Sequence, residues 1–149
     1  MENMNLWETA VIRDVTQEDG TIKAQTEHYL VHSLSCTDAE KRIIEELAPS
    51  CCGDLKVTDI KTRKFREVLP SENESDDKWY MVKAYIITLN EKTGEEKRTA
   101  VQYLVQASNL KKAISNFEHS MEGSMVDFEL DDVKFSPIIE VFSLPEEKD

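Results

Sequence analysis

An α+β fold made of one unit used twice is predicted by three observations. Two stretches alternate apolar and polar residues around a turn, each is followed by an i, i+4 apolar stripe, and the whole series recurs. Aligning Tyr29 with Tyr103 matches Leu30 and Val31 to Leu104 and Val105, and Ala39 to Ala113. The same alignment sets Ile43 against Phe117 and Leu47 against Met121. With the offset shortened by one, Asp59, Lys61, Glu67 and Val68 match Asp132, Lys134, Glu140 and Val141. These identities are about four times what composition alone would give. The expectation is an internal duplication of a strand–strand–helix–strand unit with pseudo-two-fold symmetry. An antiparallel-rich sheet covered by two helices would form one compact body.

Each element has its own local reason. In the first copy, about residues 5–69, strands are expected at about 6–15 and 22–31, with Asp19 and Gly20 in the turn. Ser35, three residues before Asp38, opens a helix whose stripe is Ala39, Ile43 and Leu47, and Pro49 ends it. In the second copy, about residues 78–142, Tyr80, Val82, Ala84 and Ile86 alternate with Met81, Lys83, Tyr85 and Ile87. Asn90 to Gly94 turns the chain, and Thr99 to Val105 alternates again. Ser108 or Asn109 opens the second helix, with Leu110, Ala113, Ile114, Phe117 and Met121 on one face. A last strand closes each copy, broken in the second at Ser136 and Pro137. Residues 70–77 read as an exposed acidic tether and 143–149 as an acidic tail.

The chain has 149 residues, enough for a core without staples. Its formal charge is −12, from 30 acidic and 18 basic residues. The tether and tail hold half of that excess, so the folded parts are nearly balanced. A global acidic field disfavours sequence-independent contact with nucleic-acid phosphates. Apolar runs are too short for a membrane span, and Met1 to Asn5 leads into an amphipathic segment with no leader pattern. Cys36, Cys51 and Cys52 form neither a disulfide framework nor a zinc motif, so reduced thiols in a cytoplasm are expected. The adjacent pair leaves a redox role open.

No catalytic constellation is legible. His28, His32 and His119 lack metal-ligand spacing, glycines 20, 53, 94 and 123 stand singly, and adjacent acids such as Asp131 and Asp132 diverge on a strand. No catalytic, cofactor-binding or metal-binding residue is therefore assigned, no cofactor is expected, and an enzyme is not expected. Two features suit binding instead. Lys56, Lys61, Arg63, Lys64 and Arg66 make a basic run on the third strand; Lys61 and Arg63 share one face, and in a regular strand Lys64 and Arg66 share the other. A nucleic-acid strand or an acidic partner could use this run, or it protects an edge strand from pairing. Trp7 and Trp79, at equivalent starts of the two copies, are out of phase with Ala10 and Ile12 and with Tyr80 and Val82. They would anchor a partner on the sheet face away from the helices or pack together as core.

Asn5 to Trp7, Tyr29 to Val31, the helix with Ala39, Ile43, Ile44, Glu45 and Glu46, Val57 to Lys61, Trp79, and Leu104 to Ser108 carry a family resemblance. Over about residues 5–142 the chain resembles a domain-of-unknown-function family of small proteins from Bacteroidetes-type bacteria and their phages or mobile elements. The resemblance implies a cytoplasmic protein, phage- or prophage-encoded in some cases, and carries no activity or site residue. The leading expectation is a non-enzymatic binding or accessory protein that engages a host or phage protein, an acidic inhibitor being one form. The alternatives are nucleic-acid binding through Lys61 to Arg66 and a small-molecule site in the duplicated α+β scaffold.

Overall fold

The computed structural model describes residues 5–50 and 53–142. In chain order the elements are β1 (Asn5–Thr16), β2 (Ile22–Ser33), α1 (Cys36–Leu47), β3 (Leu55–Arg63), β4 (Glu67–Leu69), β5 (Lys78–Leu89), β6 (Glu96–Ala107), α2 (Leu110–Met121), β7 (Asp127–Ser136) and β8 (Ile138–Phe142). The fold is thus mixed α+β, with eight strands in two four-stranded sheets and two helices among the described residues. The chain forms two compact units, Met1–Lys64 with Pro137–Asp149, and Phe65–Ser136.

The first unit holds a sheet of order β3-β1-β2-β8. β1 and β2 are a hairpin in register from Asn5 opposite Ser33 to Thr16 opposite Ile22. Gly20, at a φ of 88°, takes the left-handed position of its turn. Ser35 caps α1 by accepting from the Asp38 amide at 3.2 Å, as its position before the apolar stripe predicts. Ala39, Ile43 and Leu47 are all buried, and Ile43 and Leu47 pack with Val11, Tyr29 and Val31. Leu55, Val57 and Phe142 complete this core, Phe142 stacking on Tyr29 with ring centroids 5.7 Å apart.

The second unit has the order β4-β6-β5-β7. Gly94, at a φ of 74°, turns the β5–β6 hairpin. Asn109 rather than Ser108 caps α2, accepting from the Lys112 amide at 2.9 Å. Ala113, Phe117 and Met121 are buried as their spacing predicts. Phe117 lies edge-on to Tyr103 and Phe128, at 5.0 and 5.4 Å between centroids, within a core of Val82, Ala84, Ile86 and Val105.

Three sequence expectations change. First, the last strand of the first copy is split as well, as the break at Ser136 and Pro137 predicts for the second: Lys64 and Arg66 lie beyond the end of β3, so no regular strand carries them. β4 then runs parallel to β6 and β8 parallel to β2, with the Arg66 amide donating to Gln102 O at 2.7 Å. The expected repeats, 5–69 and 78–142, and the compact units therefore do not coincide at their ends. Second, Val11 rather than Ala10 faces α1, so Trp7 lies on the helix face. Trp7 is opposite Val31, whereas Tyr80, not Trp79, is opposite Val105; the tryptophans do not hold equivalent positions. Third, the segment 70–77 is not a free tether. Asp76 is buried, 3% exposed, and its Oδ2 accepts from Ser71 Oγ at 2.5 Å and from Asn116 Nδ2 at 3.2 Å. The Ser71 amide donates to Gln106 Oε1 at 2.9 Å, pinning the other end of the segment. Cys51, Cys52 and the acidic tail lie outside the described residues.

Candidate functional site

The helix-free face of the first sheet gathers ionisable side chains from three strands. Alternation puts Glu8 of β1, His28 and His32 of β2, and Asp59, Lys61 and Arg63 of β3 on this face. Glu8 breaks the apolar pattern of its strand yet is 5% exposed. Burying a carboxylate demands partners. Arg63 supplies one, its Nε donating to Glu8 Oε1 at 2.7 Å, and His28 Nδ1 lies 3.2 Å from Oε2, an ion pair when the imidazole is protonated. Lys61 stands directly opposite Glu8 in the strand register but remains exposed.

A carboxylate-backed imidazole can move protons. Here the permanently charged Arg63 guanidinium is the cation paired with Glu8. The cluster fixes Arg63 along the sheet edge and leaves Lys56 and Lys61 projecting there. Lys64 and Arg66, on the bend after β3, are also exposed. Burial and the nearby Arg42 guanidinium hold His32 below the ordinary imidazole value, which favours its neutral form.

Among the sequence candidates, the structure brings Lys61 and Arg63 to one face and leaves Lys64 and Arg66 off the strand. Trp7 is half-buried and donates from Nε1 to Ser33 O at 3.1 Å; Trp79 is 5% exposed. Glu8 and His28 carry no site role in the sequence reading, which takes Glu8 as a break in its strand's pattern and weighs His28 only as a metal ligand. The signal was present in Glu8 itself, an acid in a strand's apolar core stretch, which requires a cation on an adjoining strand.

The helix face carries a separate network. Glu27, itself buried, lies 2.6 Å from Arg13 Nε and accepts from Tyr29 Oη at 2.8 Å and Gln25 Nε2 at 3.2 Å. Burial, and then the Glu27 carboxylate, push the Tyr29 phenol far above its usual range. On the helix-free face of the second sheet, Met81, Lys83, Gln102, Asp131, Asp132 and Lys134 line an open cleft of ≈ 410 Å³. Tyr85 lies between Lys83 Nζ, at 5.7 Å, and the Arg98 guanidinium, at 5.1 Å from its ring centre. No cluster of three or more His, Cys, Asp or Glu side chains able to hold a metal ion occurs among the described residues. No helix among them is long and apolar enough to cross a membrane.

Compared with known proteins, residues 5–144 match the model of one family, described as domain of unknown function (DUF4494). No curated protein and no solved structure matches the chain.

Proposed function

We propose that this chain, which belongs to the DUF4494 family, is a non-catalytic binding protein that engages a protein partner along the edge of β3. One observation carries the reading. A nine-residue strand ends its sheet with no strand on its outer side among the described residues, and it presents exposed Lys56 and Lys61 there. An open edge of this kind offers main-chain hydrogen bonds to an extended partner segment, and the lysines favour an acidic one. The role is that of a cytoplasmic accessory factor of a phage or mobile element, a reading supported by the family resemblance of the sequence. The scaffold arose by duplication of a strand–strand–helix–strand unit; the aligned residues of the two copies and the like order of strands in the two sheets support this.

Capture of partners from a bacterial lysate on the immobilised full chain tests the binding edge. A Lys61→Glu/Lys64→Glu variant should lose partners that a Lys92→Glu/Lys97→Glu control retains. An unchanged set, or no partner held by any form, argues against the reading.

A second reading, nucleic-acid binding, is favoured by the exposure of Lys61, Lys64 and Arg66 on consecutive segments. Gel shifts with DNA and RNA at low salt address it, and binding that survives Lys64→Glu with Arg66→Glu would exclude these residues. The polar cleft of the second sheet is the place for the third alternative, a small polar ligand, for which thermal-shift screening of metabolites is the direct assay.

A further inference from the structure

The outer strands of the two sheets carry opposite charge. β3 ends one sheet and β7 ends the other. β3 bears Lys56, Lys61 and Arg63 against Asp59, whereas β7 bears Asp127, Glu129, Asp131 and Asp132 against Lys134. Some of these are spent internally: Arg63 on Glu8 at 2.7 Å, Glu129 on Arg98 at 2.9 Å and Asp131 on Lys83 at 3.6 Å. Lys56, Lys61, Asp127 and Asp132 are exposed and make no ion pair among the described residues.

Their spacing matches. Two lysines stand five residues apart on β3 and two aspartates five apart on β7. Each span contains one register irregularity, at Ala10/Val11 for β3 and at Lys83/Ala84 for β7. An odd spacing would put the two members of a pair on opposite faces of a regular strand; the extra residue of a bulge restores them to one. Lys56 and Lys61 accordingly lie opposite Ile12 and Glu8, and Asp127 and Asp132 opposite Ile87 and Lys83, all on helix-free faces.

We propose that β3 of one molecule adds antiparallel to β7 of a second copy, with Lys56 opposite Asp132 and Lys61 opposite Asp127. This inference rests on β3 being a binding edge and names its occupant. Main-chain hydrogen bonds supply the attraction, and the charge pairs set register and partner. Like charges oppose β3 on β3 and β7 on β7, so the contact is head-to-tail. Such a contact leaves one edge of each sign free on every dimer and propagates until a ring closes or the series ends.

Sedimentation of the full chain over a range of concentration and salt is the test. The parent should gain mass with concentration and lose it as salt screens the exposed pairs. Lys56→Glu/Lys61→Glu and Asp127→Lys/Asp132→Lys should each be monomeric alone and reassociate when mixed, since each then offers the sign the other lacks. Reassociation also proves that both variants fold. A parent that stays monomeric throughout, an oligomer indifferent to both variants, or a mixture that does not reassociate overturns the proposal. If the parent is monomeric while Lys61→Glu/Lys64→Glu still strips partners from the capture experiment, only self-pairing fails and the binding edge stands.

Discussion

Arg63 of β3 reaches diagonally to Glu8 of the adjoining β1, Nε to Oε1 at 2.7 Å, although Lys61 is the residue directly opposite Glu8. The guanidinium is about one-third exposed and the carboxylate 6% exposed, so one end of the pair is solvated and the other is not. Removing Arg63 strands a buried anion, whereas Glu8→Gln leaves a neutral group that can still accept from Arg63. Arg63→Ala should therefore cost about 1–3 kcal/mol, and Glu8→Gln less. Denaturant melts of both single variants and the double variant give the charge-dependent part of the coupling, and additive effects would show that the carboxylate charge adds nothing to the Arg63 hydrogen bond.

Phe117 is fully buried and touches two aromatic rings. Phe117→Ala should lose about 3–5 kcal/mol through transfer energy and the cavity left behind. Ile43, its fully buried counterpart on α1, should lose about 2–5 kcal/mol on the same change. A Phe117 variant as stable as the parent in urea would contradict the helix packing described.

Asp76 should stand apart from its acidic neighbours. Asp76→Ala should destabilise by about 1–3 kcal/mol, because it frees the donors of Ser71 and Asn116. Glu72→Gln and Glu74→Gln, at exposed sites, should each stay within about 0.5 kcal/mol. The Ser71 hydrogen bond holds the Asp76 carboxyl below the usual carboxylate range, with Asn116 adding to it against the opposing effect of burial. A depressed folded value favours the folded state above the unfolded carboxyl pKa and is lost as pH falls through the folded one. Stability of the parent should thus decline in acid more than that of Asp76→Asn; parallel pH–stability curves would refute the assignment.

Tyr29 titrates in the opposite direction. Burial and the bond to Glu27 raise its phenol, so its contribution is present below the ordinary tyrosine value of about 10 and is lost as pH rises from there towards the folded value. Of the four tyrosines, Tyr29 and Tyr103, the latter also raised by burial, should ionise late in an ultraviolet titration. Tyr29→Phe should remove part of that late step. A single ordinary step for all four would be inconsistent with the Glu27 network.

Much of the fold was legible because its signals are local. The stripe Ala39, Ile43 and Leu47, the cap at Ser35 and the left-handed glycines at 20 and 94 each depend on residues within one turn of themselves. The alternation in Tyr80 to Ile87 likewise marks β5 with no knowledge of its partners. The site was legible only in part. Lys61 and Arg63 were singled out as a same-face pair, but Glu8, the anchor of Arg63, lies 55 residues from it in sequence, and no local pattern joins them.

The sequence by itself determined the kind and order of the elements, the buried stripe of each helix and the sign of charge on each strand. Only the tertiary structure decided which face of β1 meets α1, that β4 and β8 join β6 and β2 in parallel, and that Asp76 is drawn inward. Helix and hairpin signals arise from neighbours a few residues apart, where chain geometry fixes who can touch. Parallel pairing and the burial of a lone carboxylate depend on groups far apart in sequence, brought together only when the core closes.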